Sequence, residues 1–174
     1  MSEPLAYFLT FGTYGSWLHG DFRGSKDPRH NTLGEVPLPR DDFRRQRELR
    51  LMAHGSQRIS PAMRAVIEPA LRNVCADRGW GLVELNVRTE HIHVVVSGIG
   101  KPETILTSLK AAATRELRRA SLVEPEQRVW ARHGSTRYLW SDADVLAARD
   151  YVLNHQGADL PGSQWRKWRD VGAD

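Results

Sequence analysis

The sequence predicts an α+β fold, a ferredoxin-like sandwich in which helices cover one face of a mainly antiparallel sheet and a further helix follows at the C-terminal end. Three observations carry that reading. Short runs of β-branched and aromatic residues alternate with runs of helical period. Two strand-like runs follow each other across the single residue Thr89, which makes them antiparallel neighbours. The order is strand, helix, strand, strand, helix, strand, helix.

Residues 5–14, LAYFLTFGTY, favour a strand, and Gly15 ends it. A long polar stretch follows, about residues 18–59, rich in Gly, Pro, Asp and Arg; such a loop inside a compact domain is usually functional or mobile. Its portion from Asp41 to His54 suits a short basic helix. Ser60 is a good N-cap with Pro61 at the first helical position. Met63, Val66, Ile67, Leu71 and Val74 then recur at helical spacing up to the stop at Gly79, and Pro69 is expected to kink this helix. Residues 80–88, WGLVELNVR, and 90–98, EHIHVVVSG, read as strands. Residues 102–120 form an amphipathic helix, and residues 128–140 a hairpin or strand around Gly134. Ser141 caps a last helix, ended by Gly157. The basic and aromatic tail, about residues 158–174, is expected to be loop-like, and Trp130 and Trp140 to lie in the core.

The whole, residues 1–174, suits one domain with a proper core. No apolar run is long enough to span a membrane, and the first residues, MSEPLAYFLTFGTYG, lack the pattern of a signal peptide. A cytoplasmic setting is therefore expected. Cys75 is the only cysteine, which rules out an internal disulfide and a zinc site built on thiolates. The formal charge of +4 and a pI near 9.6 favour a polyanionic partner over a membrane.

The chemistry concentrates in two places. In VRTEHIHVVV, His91 and His93 are two apart on a strand, so both point to one face while Ile92 faces the other. Two neutral imidazoles on a rigid strand can hold two corners of a divalent cation, and a third ligand must come from elsewhere. In the last helix, Tyr151 and His155 are four apart and share a face. His155 can be the third ligand; Gln156, through its amide oxygen, is the rival. Tyr151 then presents a phenol beside the metal. A phenol is a weak nucleophile at neutral pH, and a metal that polarises a phosphate removes much of that difficulty. A plain amphipathic helix would also account for Val145, Leu146, Ala148, Val152 and Tyr151 as core.

These residues resemble a known class. HIH (91–93) is similar to the His-hydrophobic-His signature of the HUH endonucleases, and YVLNH (151–155) resembles the single catalytic tyrosine of the insertion-sequence transposases in that class. YFLTFGTYGSWLHGDFRGS and VWARHGSTRYLW are similar to its stand-alone members, which include the repeat-associated tyrosine transposases. The likeness runs from Tyr7 to about Gly157. It implies a ferredoxin-like sheet and transesterification on single-stranded DNA bearing hairpins. Tyr151 would attack a backbone phosphate, giving a 5′-phosphotyrosine and a free 3′-hydroxyl, and a second strand's 3′-hydroxyl would resolve the adduct. His91, His93 and His155 would hold Mg²⁺ or Mn²⁺, with imidazoles suiting Mn²⁺ better. The pattern departs at one point: insertion-sequence members commonly carry glutamine four residues after the tyrosine, repeat-associated relatives asparagine, and here His155 stands there with Gln156 displaced by one. Insertion-sequence members are often homodimers that place the tyrosine in the partner's site, whereas repeat-associated relatives can act as monomers; both arrangements stay open.

DNA contacts call for cations along a groove and aromatic faces for unpaired bases. The candidates are Arg115 on the helix after the histidine strand, Arg132 and Arg137 beside Gly134, and Trp165, Arg166, Lys167 and Trp168 in the tail. Arg44, Arg45, Arg47 and Arg50 in the long loop, and Lys110, Arg118, Arg119 and His133, are further cations of this kind. Two other functions compete: a domesticated hairpin-binding protein that does not cut, and a metal-dependent phosphodiesterase using water. The latter would make Tyr151 dispensable, and the second His-x-Thr/Ser motif of two-histidine phosphodiesterases is missing.

Overall fold

A computed structural model of the chain describes residues 3–16, 18 and 39–171. Residues 19–38 of the long polar stretch expected at about 18–59 lie outside the described residues. The elements in order are β1 (Ala6–Thr13), α1 (Asp42–Leu51), α2 (Pro61–Asp77), β2 (Gly81–Val87), β3 (His91–Ser97), α3 (Pro102–Arg119), β4 (Trp130–Leu139), α4 (Asp142–Asn154) and α5 (Trp165–Val171). The sheet runs β2-β3-β1-β4 with every neighbouring pair antiparallel, the strand order of a ferredoxin-like sandwich. No helix among the described residues is long and apolar enough to cross a membrane.

Alternation along the two central strands sorts the layers. Leu9, Phe11, Ile92, Val94 and Val96 pack with Ile67 and Leu71 of α2 and Ile105 and Leu109 of α3. On the other face Ala6, Val95 and Leu139 meet Ala148 and Val152 of α4. The sheet is thus covered by α2 and α3 on one side and by α4 on the other. A strand side chain of odd parity in β1 belongs to the first layer and one of even parity to the second.

Of the two forms expected around Gly134, hairpin or strand, the chain takes the strand, paired along β1 with a shift between Phe11 and Thr13. Gly134 serves close approach here: a Cβ at this position would lie 2.8 Å from both the Thr10 carbonyl oxygen and Leu106 Cδ2. Other expectations are corrected. Pro69 does not interrupt α2, which stays helical from Pro61 to Asp77. Trp140 is 54% exposed and stacks on Tyr138, with ring planes 12° apart. Trp130 packs on the core as expected, and its indole N–H donates to Thr114 Oγ1 at 2.9 Å.

The tail is the largest correction, because it folds back and docks. Trp165 begins α5 and is 7% exposed within the main core, so it is no surface for DNA bases. Trp168 is half-buried under the Arg72 guanidinium, 5.4 Å above its ring. Two buried charged residues of α2 hold this return. Arg64 donates to the Val87 and Pro161 carbonyls at 2.7 and 2.6 Å. Glu68 accepts from Ser163 Oγ (2.7 Å) and from the backbone N–H groups of Gln164 (2.6 Å) and Trp165 (3.0 Å). A polar residue pair at i, i+4 on the apolar side of a helix gives no sign in the sequence of what it will bind. Replacing Glu68 with Ala would strand those three donors at the edge of the core. The expected outcome is a loss of about 3 kcal/mol in urea unfolding, with early proteolysis of the tail.

Candidate active site

The parity of β3 sets His91, His93 and Val95 on the α4 side of the sheet. The register places Thr10 and Asn86 on either side of His93, and Gly12, with no side chain, opposite His91. The two imidazoles stand with centroids 4.7 Å apart. His93 is 6% exposed, and Thr10 Oγ1 lies 2.8 Å from its Nδ1. Burial, with His91 beside it, pushes the His93 imidazole down to about 4, so the ring is neutral near pH 7. Its other hydrogen-bond partner is the Gln156 side chain.

Ser141 and Asp144 close a capping box that starts α4. Val152 seats the helix against the sheet, and Asn86 Nδ2 donates to the Val152 carbonyl at 3.0 Å, tying the helix to β2. One residue before this anchor, Tyr151 leans over the histidine face. Its ring centroid is 5.8 Å from those of His93 and of Phe8, and the residue is 46% exposed. A buried-core role for Tyr151 is thereby excluded. Phe8 stands 5.6 Å from His93 and completes an aromatic triangle.

Beyond Tyr151 the arrangement differs from the one spacing suggested. The helix ends at Asn154, with His155 as its C-cap. The His155 ring stacks on Tyr151, planes 10° apart, and its Nε2 faces Asp150 Oδ2 at 3.0 Å. The described residues contain no group of three or more His, Cys, Asp or Glu side chains able to hold a metal. His155 therefore does not join the pair; Gln156 does, because the chain leaves the helix one residue early and its side chain comes back toward His93. The Gln156 amide N–H points to the Tyr151 carbonyl at 3.4 Å, which leaves the amide oxygen for the histidine side. Two imidazoles and an amide oxygen are a donor set that suits Mn²⁺ or Mg²⁺.

Thr10, Phe8 and Asn86 were missed in the sequence. Thr10 is the only clue among them, a polar residue at even parity in an otherwise apolar strand, and its meaning depends on the register with β3.

The candidate DNA contacts scatter. Arg137 pairs with Phe8 and so stands on the histidine face. Arg132 lines a cleft of about 380 Å³ on the α3 side, with Thr107 and Lys110. Lys110 itself is occupied, donating to the Ala131 and His133 carbonyls at 2.9 and 3.2 Å. Arg115 is exposed on α3, in the layer opposite Tyr151, 3.3 Å from Glu116. Arg45 lines a larger cleft, about 760 Å³, that also reaches Glu90 next to His91. Of Trp165, Arg166, Lys167 and Trp168, only Lys167 is exposed. The Arg166 guanidinium is spent on the Leu153 carbonyl (2.6 Å) and on Asp159 (3.0 Å).

No family profile matches the chain, and no curated protein does. Among solved structures it is similar to a REP-associated tyrosine transposase bound to a REP hairpin, at 15% identity and a TM-score of 0.52, covering 99% of this chain and 82% of that one. The chain has that transposase's fold. A second structure, a candidate transposase of Deinococcus radiodurans R1, is similar at 18% identity with a TM-score of 0.46, covering 91% of this chain and 95% of that one.

The neutral, buried His93 has a consequence for stability. The unfolded chain takes up a proton near the ordinary value of 6.5, and the folded chain resists it down to about 4. Its contribution is complete above pH 6.5 and falls away as the pH drops through that window. Between pH 7 and 4.5 the wild type should lose roughly 2–3 kcal/mol more than a His93→Gln variant, read as the difference between their urea transitions.

Proposed function

We propose that this chain is a single-stranded DNA transposase of the single-tyrosine HUH type. The observation that carries the reading is the exposed Tyr151 ring held 5.8 Å from the buried, neutral His93 of the same chain. The fold shared with a REP-associated tyrosine transposase supports it, and so does the basic charge. That relative is bound to a REP hairpin, and a DNA hairpin flanked by single strand is the substrate proposed here.

In the proposed reaction Tyr151 Oη attacks a DNA phosphorus in line. The bond to the 3′ oxygen breaks, that oxygen leaves as a hydroxyl, and the 5′ phosphate remains on the tyrosine. A second strand's 3′-hydroxyl then attacks the phosphotyrosine and releases the phenol, so one phosphodiester replaces another and no nucleotide triphosphate is consumed. His91, His93 and Gln156 are the residues that would hold Mg²⁺ or Mn²⁺. When bound, the ion would polarise the scissile phosphate and offset its developing charge. Thr10 fixes the orientation of the His93 ring, and such supporting partners typically tune a ligand's affinity by about 10–100-fold. Phe8 and His155 bracket the Tyr151 ring and limit its swing. Arg137 offers a cation on the same face.

The test is a labelled hairpin with single-stranded flanks, incubated with Mn²⁺ or Mg²⁺ and run under denaturing conditions. Wild type should yield a covalent protein–DNA adduct, and Tyr151→Phe none, while both bind the hairpin alike. Hairpin binding with no adduct in either metal would favour a non-cutting binder; cleavage that survives in Tyr151→Phe would favour water as the nucleophile.

Two finer outcomes are expected. Gln156→Ala should lose adduct formation by about 100-fold or more, whereas His155→Ala should keep it within roughly tenfold. Because Tyr151 lies beside its own chain's histidines, a mixture of Tyr151→Phe and His93→Ala proteins should stay inactive; restored cleavage would mean that the tyrosine serves a partner subunit.

A further inference from the structure

The turn after α4 carries His155, Gln156 and Gly157, the last with φ of 80°. It is gripped from two sides. Arg88, at the end of β2, donates to the Ala158 carbonyl at 2.8 Å. Arg166 of α5 donates to the Leu153 carbonyl at 2.6 Å and pairs with Asp159 Oδ1 at 3.0 Å. An arginine on the last-turn carbonyls satisfies an acceptor that the helix cannot, and it sits at the negative end of the helix dipole.

The base that carries Arg166 is itself fixed. The adjacent Trp165 is buried, and its indole N–H donates to the carboxylate of Glu84. Glu84 is fully buried in β2, and its other oxygen faces Arg149 Nε of α4 at 3.5 Å. Glu68 caps the backbone of Gln164 and Trp165 from α2. Sheet, α2 and α5 thus close a ring of contacts around the C-terminal end of the tyrosine helix.

We infer that Arg166 is a positioning residue for the tyrosine site: it clamps the end of α4 so that Tyr151 and Gln156 stay beside His93, and it is not a DNA phosphate contact. The inference rests on Tyr151 being the nucleophile. It reverses the natural reading of WRKWR as a DNA-binding run, and leaves Lys167, exposed beside Arg166, as the residue with a surface to offer among the described side chains of that run.

Arg166→Ala, Arg166→Lys and Lys167→Ala can be compared by three measurements. Amide hydrogen exchange without DNA should quicken by about tenfold or more at residues 152–158 in both Arg166 variants and stay unchanged in α2. Hairpin affinity, measured on a Tyr151→Phe background, should stay within about twofold of the parent with an unaltered salt slope. The rate of adduct formation at saturating hairpin should fall by about tenfold or more, and Lys should not restore it, since an ammonium cannot bridge the carbonyl and the carboxylate as the guanidinium does. Weaker binding, a salt slope reduced by about one and full rescue by Lys would make Arg166 a phosphate contact and overturn the inference. Unchanged exchange at 152–158 would overturn it as well. If wild type forms no adduct, the proposed function fails, and the exchange result still decides whether the clamp exists.

Discussion

The seating of helix α4 on the sheet is the interaction from which the site follows. Val152 goes fully into the gap between Ala6, Val95 and Leu139, and Asn86 holds its carbonyl. Helical geometry then fixes the rest. The residue before a buried anchor is turned about 100° from it, which brings Tyr151 to the rim, over the even-parity side chains of β1 and the odd-parity ones of β3. Shifting the helix by one residue would put the phenol in the interior or out in solvent. A packing contact between small apolar side chains thus determines where the Tyr151 hydroxyl stands.

The site also depends on how the fold treats polarity. His93 is buried on a strand whose neighbours are valine and isoleucine, and burial keeps its ring uncharged when an exposed imidazole would be partly protonated. Thr10 and Gln156 answer the two ring nitrogens' needs without a full charge. Elsewhere Arg64, Glu68 and Glu84 are buried, and each is matched to carbonyls, N–H groups or an arginine. Among the described residues no buried side-chain nitrogen or oxygen lacks a partner. Breaking one partner in such a set costs more than the bond itself, because the group left behind has lost water too. The charged residues of α2 and β2 are therefore the joints that fasten the tail to the tyrosine helix.

The same economy explains the fate of the basic tail. Read along the chain, two tryptophans and three cations in five residues look like a nucleic-acid surface. In the fold, Trp165 goes to the core, Trp168 goes under Arg72, and Arg166 turns to a helix end. Large apolar side chains near a chain end are as useful for closing a core as for stacking on bases, and local sequence does not separate the two uses.

What the sequence determined by itself was what depends on local periodicity. Alternation gave β1, β2 and β3 and the common face of His91 and His93; cap residues and apolar spacing gave α2, α3 and α4; the order of elements gave the ferredoxin-like sandwich. Tyr151 and the histidine pair were legible as candidates for the same reason. What only the tertiary structure decided was which residues from different elements meet. That Thr10 faces His93 depends on a strand register, that Gly134 sits in a strand depends on its close approach to Thr10, and that Trp165 is buried depends on Glu68 and Glu84 far away in the chain. That the Gln156 side chain reaches His93 while His155 turns to Tyr151 and Asp150 depends on the point where helix α4 stops, a difference of one residue. Spacing rules extend a helix indefinitely; the end of a real one is set by the groups waiting to take its last carbonyls, and here those groups come from β2, through Asn86, and from the tail, through Arg166.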